Sequence, residues 1–140
     1  MKPKILVIDD DPATLLALPE ALRSRFPEIA IDVASSAESA LPLIQHVNYD
    51  VIVSDIIMPG MDGIQLLRTA LKVRPGLVIV MVTAGDLGRE QEAMHHGAFA
   101  FVAKPFEVDR FAETISTGIQ RAQALRLARN SSPQDKSLTP

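Results

Sequence analysis

The side chains best suited to joint chemistry in this sequence are the carboxylates of Asp9, Asp10 and Asp55, the hydroxyl of Thr83 and the ammonium of Lys104. Each stands at or beside the end of a short apolar run: Ile5 to Ile8, Val51 to Val53, Val78 to Val82 and Phe99 to Ala103. Carboxylates brought together repel, raising the pKa of at least one unless a cation sits among them. Donors that are all oxygen select a hard cation, and Mg²⁺ typically takes one or two carboxylates with waters and phosphate oxygens. An aspartate nucleophile beside a metal and a lysine, both able to neutralise equatorial phosphoryl oxygens, is equipment for phosphoryl transfer onto a carboxylate. The Thr83 hydroxyl could donate a hydrogen bond to the phosphoryl group.

These residues converge only if the runs lie side by side. The runs, with a further one over Ile29 to Val33, are bounded by turn residues and separated by longer amphipathic stretches, which predicts strands alternating with helices. Val78-Ile79-Val80-Met81-Val82 is apolar at every position, as suits a strand of a parallel sheet covered on both faces. The repeated strand-then-helix order predicts an α/β doubly wound domain, in which function gathers at the carboxyl ends of the strands. Asp11 is expected to cap the first helix with Pro12 at its first position. Ser35-Ser36-Ala37-Glu38 fits a capping box for the second, and Asp62-Gly63 opens the third, which stops before Pro75-Gly76. The fourth is expected from about Gly88 to His96 with Gly97 as a left-handed cap, and the fifth from near Glu107 to as far as Arg129. Pro19 and Pro42 fall inside the first two helices and predict kinks there.

Composition narrows the field. The chain has 140 residues, 47% hydrophobic and 22% charged, sized for one soluble domain. A net charge of −3 provides no global basic field for nucleic acid or anionic lipid. Zero cysteines exclude disulfides, thiolate metal sites and cysteine nucleophiles. No stretch approaches the roughly 20 apolar residues of a membrane span, and the first run is too short for a signal-peptide core. A cytoplasmic location is expected. Residues 1–124 are expected to form the domain, with 125–140 a helix extension and flexible tail or linker, the last of it (NSSPQDKSLTP) having a linker's makeup.

The stretches ILVIDDD (5–11), VIVSDIIMPGMDG (51–63), VMVTAG (80–85) and FVAKPF (101–106), in this order and spacing, resemble the receiver domains of bacterial response regulators over about residues 4–122. Each fragment alone is weak; all together they are specific. The resemblance implies a flavodoxin-like fold with a five-stranded parallel sheet in the order 2-1-3-4-5. It implies Asp55 as phosphoacceptor, Asp10 as a direct Mg²⁺ ligand, Asp9 holding a metal-bound water, and the backbone carbonyl of Ile57 completing the metal site, with Mn²⁺ able to substitute. Lys104 would contact the phosphoryl group and Pro105 would follow a cis peptide. Thr83 and Phe101 would form the switch pair; the family often carries tyrosine where Phe101 stands, so a readout through that hydroxyl is excluded. The donor would be a sensor histidine kinase or a phosphotransfer protein. The output would pass through the face of the fourth helix, fifth strand and fifth helix, with a homodimer through that face as one arrangement. Neither a nucleic acid nor a membrane is an expected direct partner. Ile57 and Gly85 occupy the positions that govern water attack in the family, and neither side chain can orient a water, which predicts slow self-dephosphorylation.

Each of these features also has a plainer reading. Asp-Asp after a strand is commonly a helix cap, and Asp11 reads as one. His95 and His96 point about 100° apart on a helix and sit at its C-terminus, where cationic side chains are favoured, so they read as a helix end rather than a metal or phosphorelay site. Arg121, Arg126 and Arg129 read as a solvated helix face, while Phe111, Ile115, Ile119 and Ala122 form the core stripe of the last helix, continued by Leu125 and Leu127. Loss of Asp55 or Lys104 would favour a pseudo-receiver that never takes phosphate, and both are present. A flavin or dinucleotide site would want a glycine-rich first loop, and VIDDDPATLL has no glycine. A haloacid-dehalogenase-type phosphatase would want a following Gly-Thr, which is missing too.

Overall fold

The computed structural model describes residues 2–84 and 87–131, without the side chains of 87, 130 and 131. Its strands are β1 (Lys4–Ile8), β2 (Ala30–Ala34), β3 (Val51–Asp55), β4 (Ile79–Ala84) and β5 (Ala100–Lys104). Its helices are α1 (Pro12–Arg25), α2 (Ala37–His46), α3 (Gly63–Val73), α4 (Glu90–His95, after a 3-10 turn over Leu87–Arg89) and α5 (Val108–Ser131). The strands form one five-stranded sheet in the order β2-β1-β3-β4-β5, all neighbours parallel, as expected. Among the described residues no helix is long and apolar enough to cross a membrane.

Strand alternation builds two core layers. Leu6, Ile8, Ile52, Ile79 and Met81 point to one face, where α2 and α3 add Ile44, Leu66 and Leu67. Ile5, Val7, Val51, Val53, Val80 and Val82 point to the other, closed by Leu22 of α1 and by Phe111, Ile115 and Ile119 of α5. Burying side chains of this kind gains about 1.5–3 kcal/mol each, so several together exceed the roughly 3 kcal/mol that an interior proline costs a helix. That explains why α1 and α2 run unbroken through Pro19 and Pro42. Each proline removes one intrahelical hydrogen bond, and packing on the sheet outweighs that loss.

The caps place the helix starts. Asp11 accepts from the Ala13 backbone N–H, as expected. The second box is shifted by one residue: Ser36, not Ser35, is the cap and Ser39, not Glu38, is its partner. Asp62 and Gln65 form the box of α3. The fourth helix is shorter than expected because its first turn is 3-10, and it ends at Gly97 with φ +104°. Lys104-Pro105 is a cis peptide.

Of the α5 arginines expected on a solvated face, Arg121 and Arg129 are exposed and Arg126 departs from it. Arg121 lies over the Phe99 ring, 5.4 Å from its centroid, and Arg126 donates to the buried Asp50 at 2.7 Å. Asp50 also accepts from the Lys4 backbone N–H at 2.8 Å, so α5 is anchored to the sheet beyond residue 124.

Candidate functional site

Because all the strands are parallel, their carboxyl ends share one rim. Asp9 and Asp10 follow β1, Asp55 ends β3, Thr83 lies near the end of β4, and Lys104 ends β5. Carboxylate oxygens of Asp9, Asp10 and Asp55 lie within 4.8 Å of one another. Lys104 Nζ donates to Asp9 Oδ2 at 3.0 Å and to Asp55 Oδ2 at 3.5 Å. Asp9 Oδ1 accepts from the Asp11 N–H at 2.9 Å, and Asp55 Oδ1 from the Ile57 N–H at 3.2 Å. Asp9, Asp10, Asp55 and Lys104 are therefore together in space.

The electrostatics are set by partial burial. Asp9 is buried, Asp55 half-buried and Asp10 exposed. Burial pushes the Asp55 carboxyl above its ordinary value, and the Asp9 charge adds to this against the Ile57 N–H and the Lys104 ammonium. Burial works against the Lys104 ammonium, but Asp9 and Asp55 outweigh it and hold that group above its ordinary value. A lone ammonium among three carboxylates leaves the cluster with excess negative charge. The donors are all oxygen, which fits a hard divalent cation better than zinc or copper.

Thr83 lies near the end of β4, and Phe101 lies three residues before Lys104 on β5. Thr83 is fully buried and its Oγ1 has no hydrogen-bond partner among the described residues. Phe101 is half-buried on β5, opposite Met81 in the β4–β5 register and packed against the core layer shared with α2 and α3. Ile57 is 54% exposed, so its apolar side chain faces away from the core. Gly85 lies outside the described residues. His95 and His96 meet edge-to-face at 5.2 Å, and neither belongs to a group of potential metal ligands among the described residues.

Sequence reasoning missed the supports of the loop after Asp55. Glu38 Oε2 accepts from the Met61 N–H at 2.9 Å, and this bond holds the Glu38 carboxyl below its ordinary value. Arg89 pairs with Asp62 at 3.5 Å and with Glu92 at 2.8 Å, linking the same loop to the start of α4. Gly63 packs directly against the Asp55 backbone. A glutamate or arginine at such positions has no local pattern that announces a partner 23 or 27 residues away. The glycine after a helix cap was the one readable sign.

A parallel α/β sheet with an acidic rim, a lysine and a buried threonine defines a class of switch and phosphoryl-transfer domains. Comparison with known proteins narrows it: residues 5–116 match the family described as the response regulator receiver domain. The chain is 37% identical over 118 residues to the response regulator protein FleR of Pseudomonas aeruginosa, covering 83% of this chain and 24% of FleR. It is 36% identical over 123 residues to the transcriptional regulatory protein FixJ of Bradyrhizobium diazoefficiens, covering 87% of this chain and 59% of FixJ. A solved response regulator receiver domain from Clostridium thermocellum superposes with a TM-score of 0.78 at 31% identity, covering 88% of this chain and 98% of that one. The chain belongs to the response regulator receiver domains, the phosphoacceptor modules of two-component signalling. Its length is about a quarter of FleR. Receiver domains of this family interact with histidine kinases or phosphotransfer proteins and act mostly as switches.

Proposed function

We propose that this protein is a phosphorylation-driven switch in which Asp55 takes a phosphoryl group from a phosphohistidine on a sensor histidine kinase or phosphotransfer protein. The observation that carries this reading is the Asp55 carboxylate within 4.8 Å of Asp9 and Asp10 and 3.5 Å from Lys104. Asp10, Asp55 and the Ile57 carbonyl would hold Mg²⁺, or Mn²⁺ in its place, with Asp9 acting through a bound water. When bound, the ion supplies neutralisation of phosphoryl oxygens.

The chain's own residues do the rest. Asp55 Oδ attacks phosphorus, and the Ile57 N–H bond to Oδ1 orients the carboxylate so that the other oxygen is the nucleophile. Lys104 supports charge on the transferred group, exchanging its present contacts with Asp9 and Asp55 for phosphoryl oxygens. Thr83 Oγ1, without a partner among the described residues, gains one in the phosphorylated state. Its movement leaves space that the Phe101 ring fills, which shifts the α4–β5–α5 face and so the output or a homodimer through it. The phosphoryl group acts by favouring one of two states, adding about −1.5 to −2 charges at the rim. The exposed apolar Ile57 side chain supports a slow self-dephosphorylation. The domain works in the cytoplasm, without direct contact to nucleic acid or membrane, and promotes its own phosphorylation rather than turning over a separate substrate.

The test is incubation with Mg²⁺ and acetyl phosphate or phosphoramidate, followed by intact mass measurement, with Asp55→Asn as control. A gain of one phosphoryl group that needs Mg²⁺ and is lost in the variant is expected. No gain from either donor, together with no Mg²⁺ binding, would establish a pseudo-receiver instead.

A further inference from the structure

At the amino ends of β3 and β4, the pole of the sheet away from Asp55, the structure holds a cavity of about 440 Å³. Leu77 and Val78 before β4 and Leu125 of α5 give it an apolar wall. Its charged side chains are Arg74, Arg126 and Arg129, and among the described residues no acidic one lines it. Three cations thus share one space in a chain whose net charge is −3. Arg126 is paired with the buried Asp50 at 2.7 Å. Arg74 donates to two neutral acceptors, Asn48 Oδ1 and, at 3.1 Å, the Gln45 carbonyl oxygen, which position its guanidinium without neutralising it. Neither Arg74 nor Arg129 forms an ion pair among the described residues. Three arginines against the one aspartate leave an excess of two positive charges. Arg126 and Arg129 are also three residues apart on α5, where side chains are neighbours and like charges repel. An inorganic anion would satisfy the arginines and leave Leu77 and Leu125 wet. A neutral apolar molecule would leave the arginines without a counter-charge. Ligand sites of this size are typically apolar with a few polar groups that fix one end of the ligand.

We propose that this cavity binds a small organic anion, a carboxylate or phosphate monoester head on an apolar body, with the head at Arg74 and Arg129 and the body along Leu77 and Leu125. The planar guanidinium fork suits either head, since both offer paired oxygens. The ligand bridges the α3–β4 connection to the end of α5, the helix that Arg126 ties to the start of β3. Binding therefore stabilises the folded domain in step with occupancy. The site is separate from the Asp55 rim and does not rest on phosphoryl transfer.

The experiment titrates the protein, free of divalent metal, with octanoate and with monooctyl phosphate, following backbone amide resonances. 1-Octanol supplies the chain without the charge, and inorganic phosphate the charge without the chain. At least one octyl anion should bind about tenfold or more tightly than either comparison compound, with shifts centred on Asn48, Gly76 and Leu77. The tighter of the two anions identifies the head. Arg129 is exposed, so Arg129→Gln keeps the fold. Loss of a charge-assisted hydrogen bond there should weaken binding by about tenfold or more. Lys104→Gln, at the other pole, should leave the affinity unchanged. Binding of octanol or inorganic phosphate as tight as that of both octyl anions would overturn the proposal, as would unchanged affinity in Arg129→Gln. Loss of binding in Lys104→Gln alone would place the anion at the Asp55 rim and overturn it too, and no binding of either octyl anion would end it outright.

Discussion

A Cβ on Gly63 would stand 2.2 Å from the backbone carbonyl oxygen of Asp55, closer than any non-bonded carbon and oxygen can approach. It would also meet Ile56 Cα at 2.7 Å. Both obstacles are backbone, fixed by β3 and by the Gly63 N–H bond to the Ile56 carbonyl at 2.8 Å. Gly63 thus lets the start of α3 lie against the chain segment that carries the phosphoacceptor. Alanine is the better helix former by about 1 kcal/mol, yet overpacking of this kind costs about 1–3 kcal/mol. Gly63→Ala should therefore be a net destabilisation, read as a lower urea midpoint. A midpoint at or above the wild type would show that the β3–α3 backbone yields freely.

Asp55 shares the rim with Asp9 and Asp10, and burial together with the Asp9 charge lifts its carboxyl above the ordinary range. The ionised cluster therefore opposes folding at neutral pH. Asp55→Asn removes one of the repelling charges and leaves Lys104 paired with Asp9 at 3.0 Å. In chelator the variant should have a higher thermal midpoint than the wild type. Mg²⁺ binds the folded chain and should raise the wild-type midpoint more than that of the variant. The reverse order in calorimetry would mean that the Asp55–Lys104 contact outweighs the repulsion.

Much of this architecture is legible from residue types. Ile5 to Ile8 and Val51 to Val53 announce buried parallel strands, and such strands force their terminal side chains onto one rim. Asp11, Asp62 and Gly97 each sit where helix-end chemistry requires them. The supports from distant elements are less legible. Ser35-Ser36 offers two adjacent caps, and the choice of Ser36 frees Glu38 to reach Met61. Nothing local distinguishes those outcomes; the packing of α2 against the sheet decides. Arg126 likewise reads as a surface residue until folding brings Asp50 beneath it.

Glu38 is exposed, and its bond to the Met61 N–H sets the β3–α3 loop that also carries the Ile57 carbonyl. Its carboxyl is held below the ordinary glutamate value, so the folded chain binds that proton less tightly than the unfolded one. The contribution is present above the ordinary glutamate range and is lost as pH falls through the lowered folded value. Glu38→Gln keeps an oxygen acceptor for Met61 and should remove that pH dependence while keeping the Mg²⁺ affinity. Glu38→Ala should weaken Mg²⁺ binding in a calorimetric titration. Equal affinity in both variants would detach Glu38 from the metal loop.

Arg126 and Asp50 tie α5 to the start of β3, the end of that strand opposite the phosphoacceptor. Asp50 is 3% exposed, and the pair is completed by the Lys4 N–H. Charge-assisted hydrogen bonds of this sort contribute about 1.5–3 kcal/mol, and the loss of one partner leaves a buried carboxylate behind. Arg126→Ala should lower stability within that range without changing the rate of Asp55 phosphorylation. A neutral effect on the urea midpoint would show that the neighbouring backbone donor suffices for Asp50.

Thr83 separates the stability of the resting state from the working of the switch. Its Oγ1 is buried and without a hydrogen-bond partner among the described residues, a situation that costs about 1–3 kcal/mol for a polar group. Valine has nearly the same shape and no hydroxyl. Thr83→Val should therefore leave the unphosphorylated protein as stable as the wild type or more so, whereas Thr83→Ala would add a cavity and obscure the comparison. The phosphorylated protein should behave in the opposite sense, because the hydroxyl's partner arrives with the phosphoryl group. Phosphorylation should shift the Phe101 ring resonances in the wild type and shift them much less in Thr83→Val, with phosphoryl incorporation itself retained. A full shift of Phe101 in the valine variant would uncouple the two residues, and a large destabilisation of that variant before phosphorylation would show that the hydroxyl already has a partner in the resting state.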